Sequence, residues 1–349
     1  MISEFEIPPL NELLRVELQE KIDSLNKPKN SLGKLETLAL RIGLIQNTLN
    51  PSLNNPCHLL FGADHGIERE KVSVSPREVT WQQMINFTRG GGGVNLFCRQ
   101  HNFKLFIIDV GTDYDLSDYP IENEKIARGT RNFRYEAAMS VSESLIAFMT
   151  GVQWASRCYE KGSNILCVGE MGIGNTSASA VWMHLLGNIP LEKCVGAGAG
   201  LDHSGIEHKY HVLRDSVERF LSEGGKAEDT FEVVRQFGGF EMVAAVGAMI
   251  RAASLRMIVL VDGFIMSACM LAASRLDPGV LNYAVFGHVG DENGHAALLS
   301  CMDADPLLNL SLRLGEGTGA LCAYPLLESA VRMLNEMNNF ENAQITKYF

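Results

Sequence analysis

The chain has no excess of positive charge, no closely spaced cysteine pair and no long unbroken apolar run. Each lack argues against a class of function. Lys and Arg number 30 against 41 Asp and Glu, a formal net charge of −11. A protein that grips a phosphate backbone needs a basic face, so nucleic acid is not expected as a partner. Any anionic ligand must be captured by local donors. None of the eight cysteines forms a C-x-x-C pair, and most sit in apolar contexts such as Leu166-Cys167-Val168. They read as reduced, buried thiols of a cytoplasmic protein. The start, Met1-Ile2-Ser3-Glu4-Phe5-Glu6, is acidic and lacks the basic and apolar regions of a signal peptide. The longest apolar region, Met257 to Ala273, is broken by Asp262-Gly263. It suits a strand, turn and helix better than a membrane span. No repeat of fixed period and no low-complexity tract is present.

Familiar catalytic signatures are also missing. No Gly-Lys-Ser/Thr follows the glycine-rich turn at 169–176, so it is not a P-loop, and no G-x-G-x-x-G fingerprint or G-x-S-x-G elbow occurs. His203, His208 and His211 cluster with Asp202 and Glu207, but His-x-x-x-Glu-His misses both zinc-protease patterns. A solvated helical face is the simpler reading, and no metal or cofactor is expected. Asp64 and His65 are adjacent and point apart, so Asp64 is expected to fix a turn or a ligand hydroxyl.

What is present is a globular composition, 46% hydrophobic and 20% charged, over 349 residues, enough for one large or two moderate domains. Five short apolar runs each end in a turn carrying Gly with an acid or His. They are Leu59–Phe61 before Gly62-Ala63-Asp64-His65-Gly66, Leu105–Ile108 before Asp109-Val110-Gly111, and Ile165–Val168 before Gly169-Glu170. The others are Ile258–Val261 before Asp262-Gly263 and Tyr283–Phe286 before Gly287-His288. Helical spacing fills the stretches Val79 to Cys98, Ser142 to Tyr159, Glu241 to Leu255 and Phe264 to Ser274. Unbroken apolar strands alternating with helices predict an α/β fold, a Rossmann-like parallel sheet with helices on both faces. Ligands in such sheets bind beyond the carboxyl ends of the strands, so the five turns predict one shared cleft. At the ends, Leu10 to Leu25 reads as an amphipathic helix. Leu307 to Met337 reads as helical, interrupted by Gly315-Glu316-Gly317-Thr318-Gly319. The expected division is a large domain, 36–304, and a small helical domain from both termini, 1–35 and 305–349. Gly90–Gly93 marks a close approach or a tight turn.

Two acids stand out. Glu170 lies in Gly169-Glu170-Met171-Gly172-Ile173-Gly174-Asn175-Thr176, between a strand and a helix start. The glycines let backbone approach a ligand, and the helix start offers N–H groups to an anion. The alternative is a tight strand-to-helix turn with no ligand, which leaves Glu170 without an evident use. Glu316 lies between two glycines that remove steric cover, open to a flat ligand. A solvent-exposed Glu in a helix-breaking loop is the other reading.

These strings, taken with Asn30–Glu36, Phe61–Gly66, Val74–Thr80, Gly129–Phe133, Gly238–Glu241, Asp262–Ile265 and Leu314–Gly319, resemble the nicotinate-nucleotide–dimethylbenzimidazole phosphoribosyltransferase family over nearly the whole chain. The resemblance implies a Rossmann-like domain, a small helical domain from both termini and a homodimer. The implied reaction joins nicotinate mononucleotide and 5,6-dimethylbenzimidazole, giving α-ribazole 5′-phosphate and nicotinate for the lower ligand of cobalamin. The pyridinium leaving group departs neutral and needs no general acid. A carboxylate that takes the benzimidazole N–H proton makes the other nitrogen a stronger nucleophile. The family's base falls on Glu316 and its base pocket on Ser75, Gln83 and Met171. Its phosphate and nicotinate contacts fall on Glu170, Gly172, Asn175, Gly198 and Lys209, and on Gly290 and Glu292 within the Gly287–His295 loop. That loop departs from the family's Ala-His-Arg-Ser-Ala-Glu-Pro-Gly-His. Arg, Ser and Pro give way to Val289, Gly290 and Asn293, and Asp291 is gained. The departure bears on phosphate affinity and donor identity. A purine or phenolic acceptor, or a nucleotide-binding relative without turnover, are the alternative readings.

Overall fold

Cys57–Ala63 is a run of seven residues that are all buried, so this strand, β1, is covered on both faces. The structure, a computed structural model, describes residues 5–347. Residues 1–4 and 348–349, which include most of the acidic start and the last residues of the expected terminal domain, lie outside the described residues. The five apolar runs form parallel strands: β1, β2 (Lys104–Gly111), β4 (Ile165–Met171), β5 (Ile258–Val261) and β6 (Ala284–Phe286). A two-residue edge strand, β3 (Glu122–Asn123), completes the order β3-β2-β1-β4-β5-β6. That order reverses between β1 and β4, where Phe61 stands beside Glu170 and Gly62 beside Met171. A crevice at such a reversal is where this architecture takes ligands.

The helices are α1 (Glu12–Ser24), α2 (Lys34–Gln46), α3 (Glu78–Thr88), α4 (Gly93–Gln100), α5 (Val141–Glu160), α6 (Asn175–Gly187) and α7 (Leu191–Cys194). They continue with α8 (His203–Ser222), α9 (Thr230–Phe237), α10 (Phe240–Ser254), α11 (Phe264–Leu276), α12 (His295–Ser300) and α13 (Thr318–Glu336). Helix α5 starts at a reciprocal cap: the Glu143 N–H donates to Ser140 Oγ (3.2 Å), and the Ser140 N–H donates to Glu143 Oε2 (2.6 Å). It packs on α10 with almost no space between backbones. A Cβ on Gly151 would stand 1.8 Å from the Ala244 carbonyl oxygen, and one on Gly247 2.1 Å from that of Phe148. Helix α10 in turn covers β1, β4 and β5.

Two helical expectations need correction. Val79 to Cys98 is two helices, because Gly90 at φ +76° ends the first and Gly92 and Gly93 approach neighbours too closely for a side chain. Leu307 to Arg313 is not helical. Leu308–Asn309 forms β8, paired in parallel with β7 (His288–Val289), and the helix begins only at Thr318. The chain's two ends meet: the Asn26 N–H donates to Asn338 O (2.8 Å) and the Phe340 N–H to Ser24 O (3.2 Å). Helix α2 packs on α1 and α13, and a buried ion pair joins Lys27 to Glu36 at 2.8 Å.

Candidate active site

A cleft of about 270 Å³ opens beyond the carboxyl ends of β4, β5 and β6. Three of the five expected turns line it: the one at Glu170, the one at Asp262 and the one at His288. The turns after β1 and β2 do not, because they bond to each other. The Asp64 N–H donates to Gly111 O (3.0 Å), and Asp64 Oδ2 accepts from the Asp113 N–H at 2.7 Å. Asp64 thus fixes a turn, and His65 turns inward to Glu241.

Glu316 sits on the opposite wall, at the mouth of α13. It is 6% exposed and adopts φ +62° between Gly315 at +85° and Gly317 at +81°. Its Oε2 accepts from the Val94 N–H (3.1 Å) at the start of α4. The glycines around it serve close packing and left-handed backbone, not an open face as expected from sequence. A Cβ on Gly315 would stand 2.6 Å from Glu170 Oε1, one on Gly317 2.1 Å from the His58 ring, and one on Gly169 2.5 Å from Glu316 O. Gly93 likewise lets the start of α4 reach the carboxylate, since a Cβ there would stand 2.9 Å from Leu314. Burial pushes the Glu316 carboxyl above its ordinary value, and Asp262 adds to this. The backbone N–H groups of Val94 and Gly93 pull the other way, and the net shift is upward. An exposed loop carboxylate would show none of this.

Asp262 holds the wall together, a role the sequence reading missed although its strand-end position marked it. Its Oδ2 accepts from the Gly317 N–H (3.1 Å) and its Oδ1 from the Ala320 N–H (2.9 Å), capping α13. Burial opposes its charge, but His288, 3.4 Å away, and the backbone amides of Ala320 and Gly263 outweigh that and keep the carboxyl below its usual value.

Glu170 has the packing use that sequence alone did not reveal. Asn175 Nδ2 donates to its Oε2 and the Glu316 N–H to its Oε1 at 3.4 Å. It is buried without a cation, and burial with the nearby charges of Glu241 and Asp262 drives its carboxyl well above the ordinary range. Burial of this kind favours the neutral acid over the carboxylate, and the neutral acid can donate a hydrogen bond. The turn after it is tighter than expected. The Ile173 N–H donates to Thr80 Oγ1 (3.1 Å), the Asn175 N–H to Gly172 O (3.1 Å) and the Ser177 N–H to Gly174 O (3.0 Å). These donors are already used, so the helix start offers an anion less than its position implied.

Met171, Gly172, Asn175, Gln83, Gly198, Gly290 and Glu292 line the same cleft as Glu170 and Glu316. Ser75 and Lys209 stand back from it. Ser75 lies in the loop before α3, its N–H donating to Ser73 Oγ (3.2 Å). Lys209 is 1% exposed, behind Gly198, and its Nζ donates to Thr176 Oγ1 (2.9 Å) and Gly196 O (3.4 Å). Burial lowers its ammonium to about 8 against the upward pull of Glu292. Thr176 and Arg313, which also line the cleft, were not singled out from sequence. The altered loop is tied both within itself and to the segment after α7. The Gly290 N–H donates to His295 Nδ1 (2.8 Å), and Asn293 Nδ2 donates to Val195 O (2.9 Å). A Cβ at 290 would stand 3.0 Å from Leu312 O, so glycine there matches the close passage of the 310–314 segment. The histidines of α8 gather no metal site. His208 Nε2 bonds the Glu70 carbonyl (2.7 Å), and no metal-binding cluster occurs among the described residues.

A family model described as Phosphoribosyltransferase matches residues 7–345. The chain is 56% identical over 349 residues, all of both chains, to a nicotinate-nucleotide–dimethylbenzimidazole phosphoribosyltransferase of Phocaeicola vulgatus. It is 55% identical over 346 residues, 99% of each chain, to the enzyme of that name from Bacteroides fragilis. The crystal structure of CobT from Thermus thermophilus superposes with a TM-score of 0.91 at 34% identity, covering 96% of this chain and all of that one. The chain therefore belongs to the nicotinate-nucleotide–dimethylbenzimidazole phosphoribosyltransferase family.

Proposed function

We propose that the protein transfers the 5-phosphoribosyl group of nicotinate mononucleotide to 5,6-dimethylbenzimidazole, releasing nicotinate and α-ribazole 5′-phosphate. The observation that carries this is Glu316: a buried carboxylate with its proton affinity raised, held at a cleft wall by the start of α4 and facing the glycine-rich turn after β4. Its Oε1 or Oε2 takes the benzimidazole N–H proton as the other ring nitrogen bonds C1′. The C1′–nitrogen bond to nicotinate breaks, and its electron pair neutralises the pyridinium. One displacement inverts C1′, which turns a β donor into an α product.

On the donor side, the Thr176 hydroxyl, backed by the Lys209 ammonium, receives the phosphate, helped by Gly172 and Gly198 backbone, and Gly290 leaves room beside it. Glu170, as neutral acid, donates to the ribose or nicotinate side, with Asn175 and Glu292 beside it. On the acceptor side, Gln83, Met171 and Ser75 flank the base. A small helical domain, 1–35 and 305–349, and a cytoplasmic homodimer belong to the same reading. The meeting of the two chain ends supports the terminal domain. Among the described residues no helix is long and apolar enough to cross a membrane.

Mixing the protein with both substrates and following nicotinate by chromatography tests the reading. Release that requires both substrates is expected. Folded protein that releases none at any pH would overturn it.

A further inference from the structure

Two motifs remain without a task in this chemistry: the turn Gly62–Gly66 after β1 and Gly238–Glu241 before α10. The fold brings them together as one buried pair. His65 Nε2 lies 2.5 Å from Glu241 Oε1, and both side chains are wholly enclosed. Burying both groups is costly, since each lost its water and only their mutual contact offsets it. The pair is also incomplete: among the described residues His65 Nδ1 and Glu241 Oε2 have no hydrogen-bond partner.

The pair lies directly behind the turn that lines the cleft. A Cβ on Gly172 would stand 3.1 Å from Glu241 Oε1 and 3.2 Å from His65 Cδ2, and one on Gly174 3.2 Å from His65 Cβ. Gly239 closes the far side, where a Cβ would meet Glu241 Oε2 and His65 Cε1 at 2.3 Å. The turn therefore rests on the two rigid side chains with no slack. We propose that His65 and Glu241 are a positioning pair for the nucleotide donor: they set the height of the Gly172–Gly174 backbone that lines the cleft. The inference rests on the nucleotide reading of this cleft.

The groups that face Glu170 and Glu241 come from several elements. Asp262 ends β5, the Cys269 thiol lies on α11, and His65 and Asp64 end β1. The Glu316 N–H and the Asn175 side chain donate to Glu170. Among these, Glu241 heads the charges that favour a neutral Glu170. Removing it makes Glu170 ionise at lower pH.

The test is Glu241→Gln, which keeps the size and a hydrogen-bonding group for His65. The Michaelis constant for nicotinate mononucleotide should rise about tenfold, the equivalent of about 1.4 kcal/mol. That for dimethylbenzimidazole should stay within about twofold, and the pH at which nucleotide binding changes should move down. His65→Gln should reproduce the nucleotide effect without the pH shift. A change in melting temperature with unaltered nucleotide constant and pH profile would overturn the proposal. So would unfolding of both variants, which would assign the pair to the core alone. Wild-type protein that released no nicotinate would count against the activity and not the pair. Calorimetric titration of wild type and Glu241→Gln with nicotinate mononucleotide alone then reads the pair.

Discussion

Gly317→Ala probes how the Glu316 carboxylate is held. Gly317 has φ +81°, and a side chain there costs about 1–2 kcal/mol in backbone strain alone. The new Cβ would stand 2.1 Å from His58 Cε1 and 2.9 Å from Nε2. His58 is fully buried within β1, so the ring cannot swing away, and overpacking adds about 1–3 kcal/mol. The sum is about 2–5 kcal/mol, enough to lower the melting temperature clearly. Part of the strain can be relieved by lifting the 315–317 turn, which carries Glu316 with it. A shift near 1 Å costs roughly a hundredfold in rate. Thermal denaturation reads the first quantity and nicotinate release the second. His58→Ala makes room, so in that background Gly317→Ala should lose at least about 1 kcal/mol of its cost. Additive losses in the double variant, with wild-type turnover in Gly317→Ala, would refute this picture of the wall.

Two further outcomes follow from buried groups. Lys209 loses its proton above about 8, so the attraction to an anionic phosphate fades there. The nucleotide Michaelis constant should climb with pH, by roughly tenfold per unit once past that point, and Lys209→Met should abolish the dependence. A flat profile in the wild type would contradict it. Gly151→Ala would place a Cβ 1.8 Å from Ala244 O between α5 and α10. A loss of about 1–3 kcal/mol or more in urea denaturation is expected, with the Michaelis constants of any folded protein unchanged.

The parallel sheet was legible because five apolar runs of β length ended in Gly-acid or Gly-His turns, and all five are strands in register with their neighbours. Helices α5, α10 and α11 were legible from spacing. The misreadings share one cause: a contact distant in sequence overrides a local pattern. Leu307–Arg313 has leucines at helical spacing, yet Leu308–Asn309 pairs with His288–Val289. Gly90–Gly93 interrupts a helical pattern because α4 must bring its first N–H groups to a carboxylate 222 residues away. In the site, Glu170 and Glu316 could be singled out by their glycine flanks, but not the reason for the glycines, which lies in His58 and in each other. Asp262 looked like a strand end and is the cap of α13. His65 and Glu241, 176 residues apart, form a pair that no spacing encodes.

The central claim is that Glu316 takes the acceptor's proton, and Glu316→Gln tests it most directly. The amide oxygen can still accept from the Val94 N–H, so the wall and nucleotide binding should survive. Nicotinate release at saturating substrates should fall by about 10²–10⁴-fold, the usual worth of general-base help. Calorimetry with nicotinate mononucleotide should give an affinity within about twofold of wild type. Turnover within about threefold of wild type, in a variant that binds nucleotide normally, would contradict the claim and place the proton elsewhere.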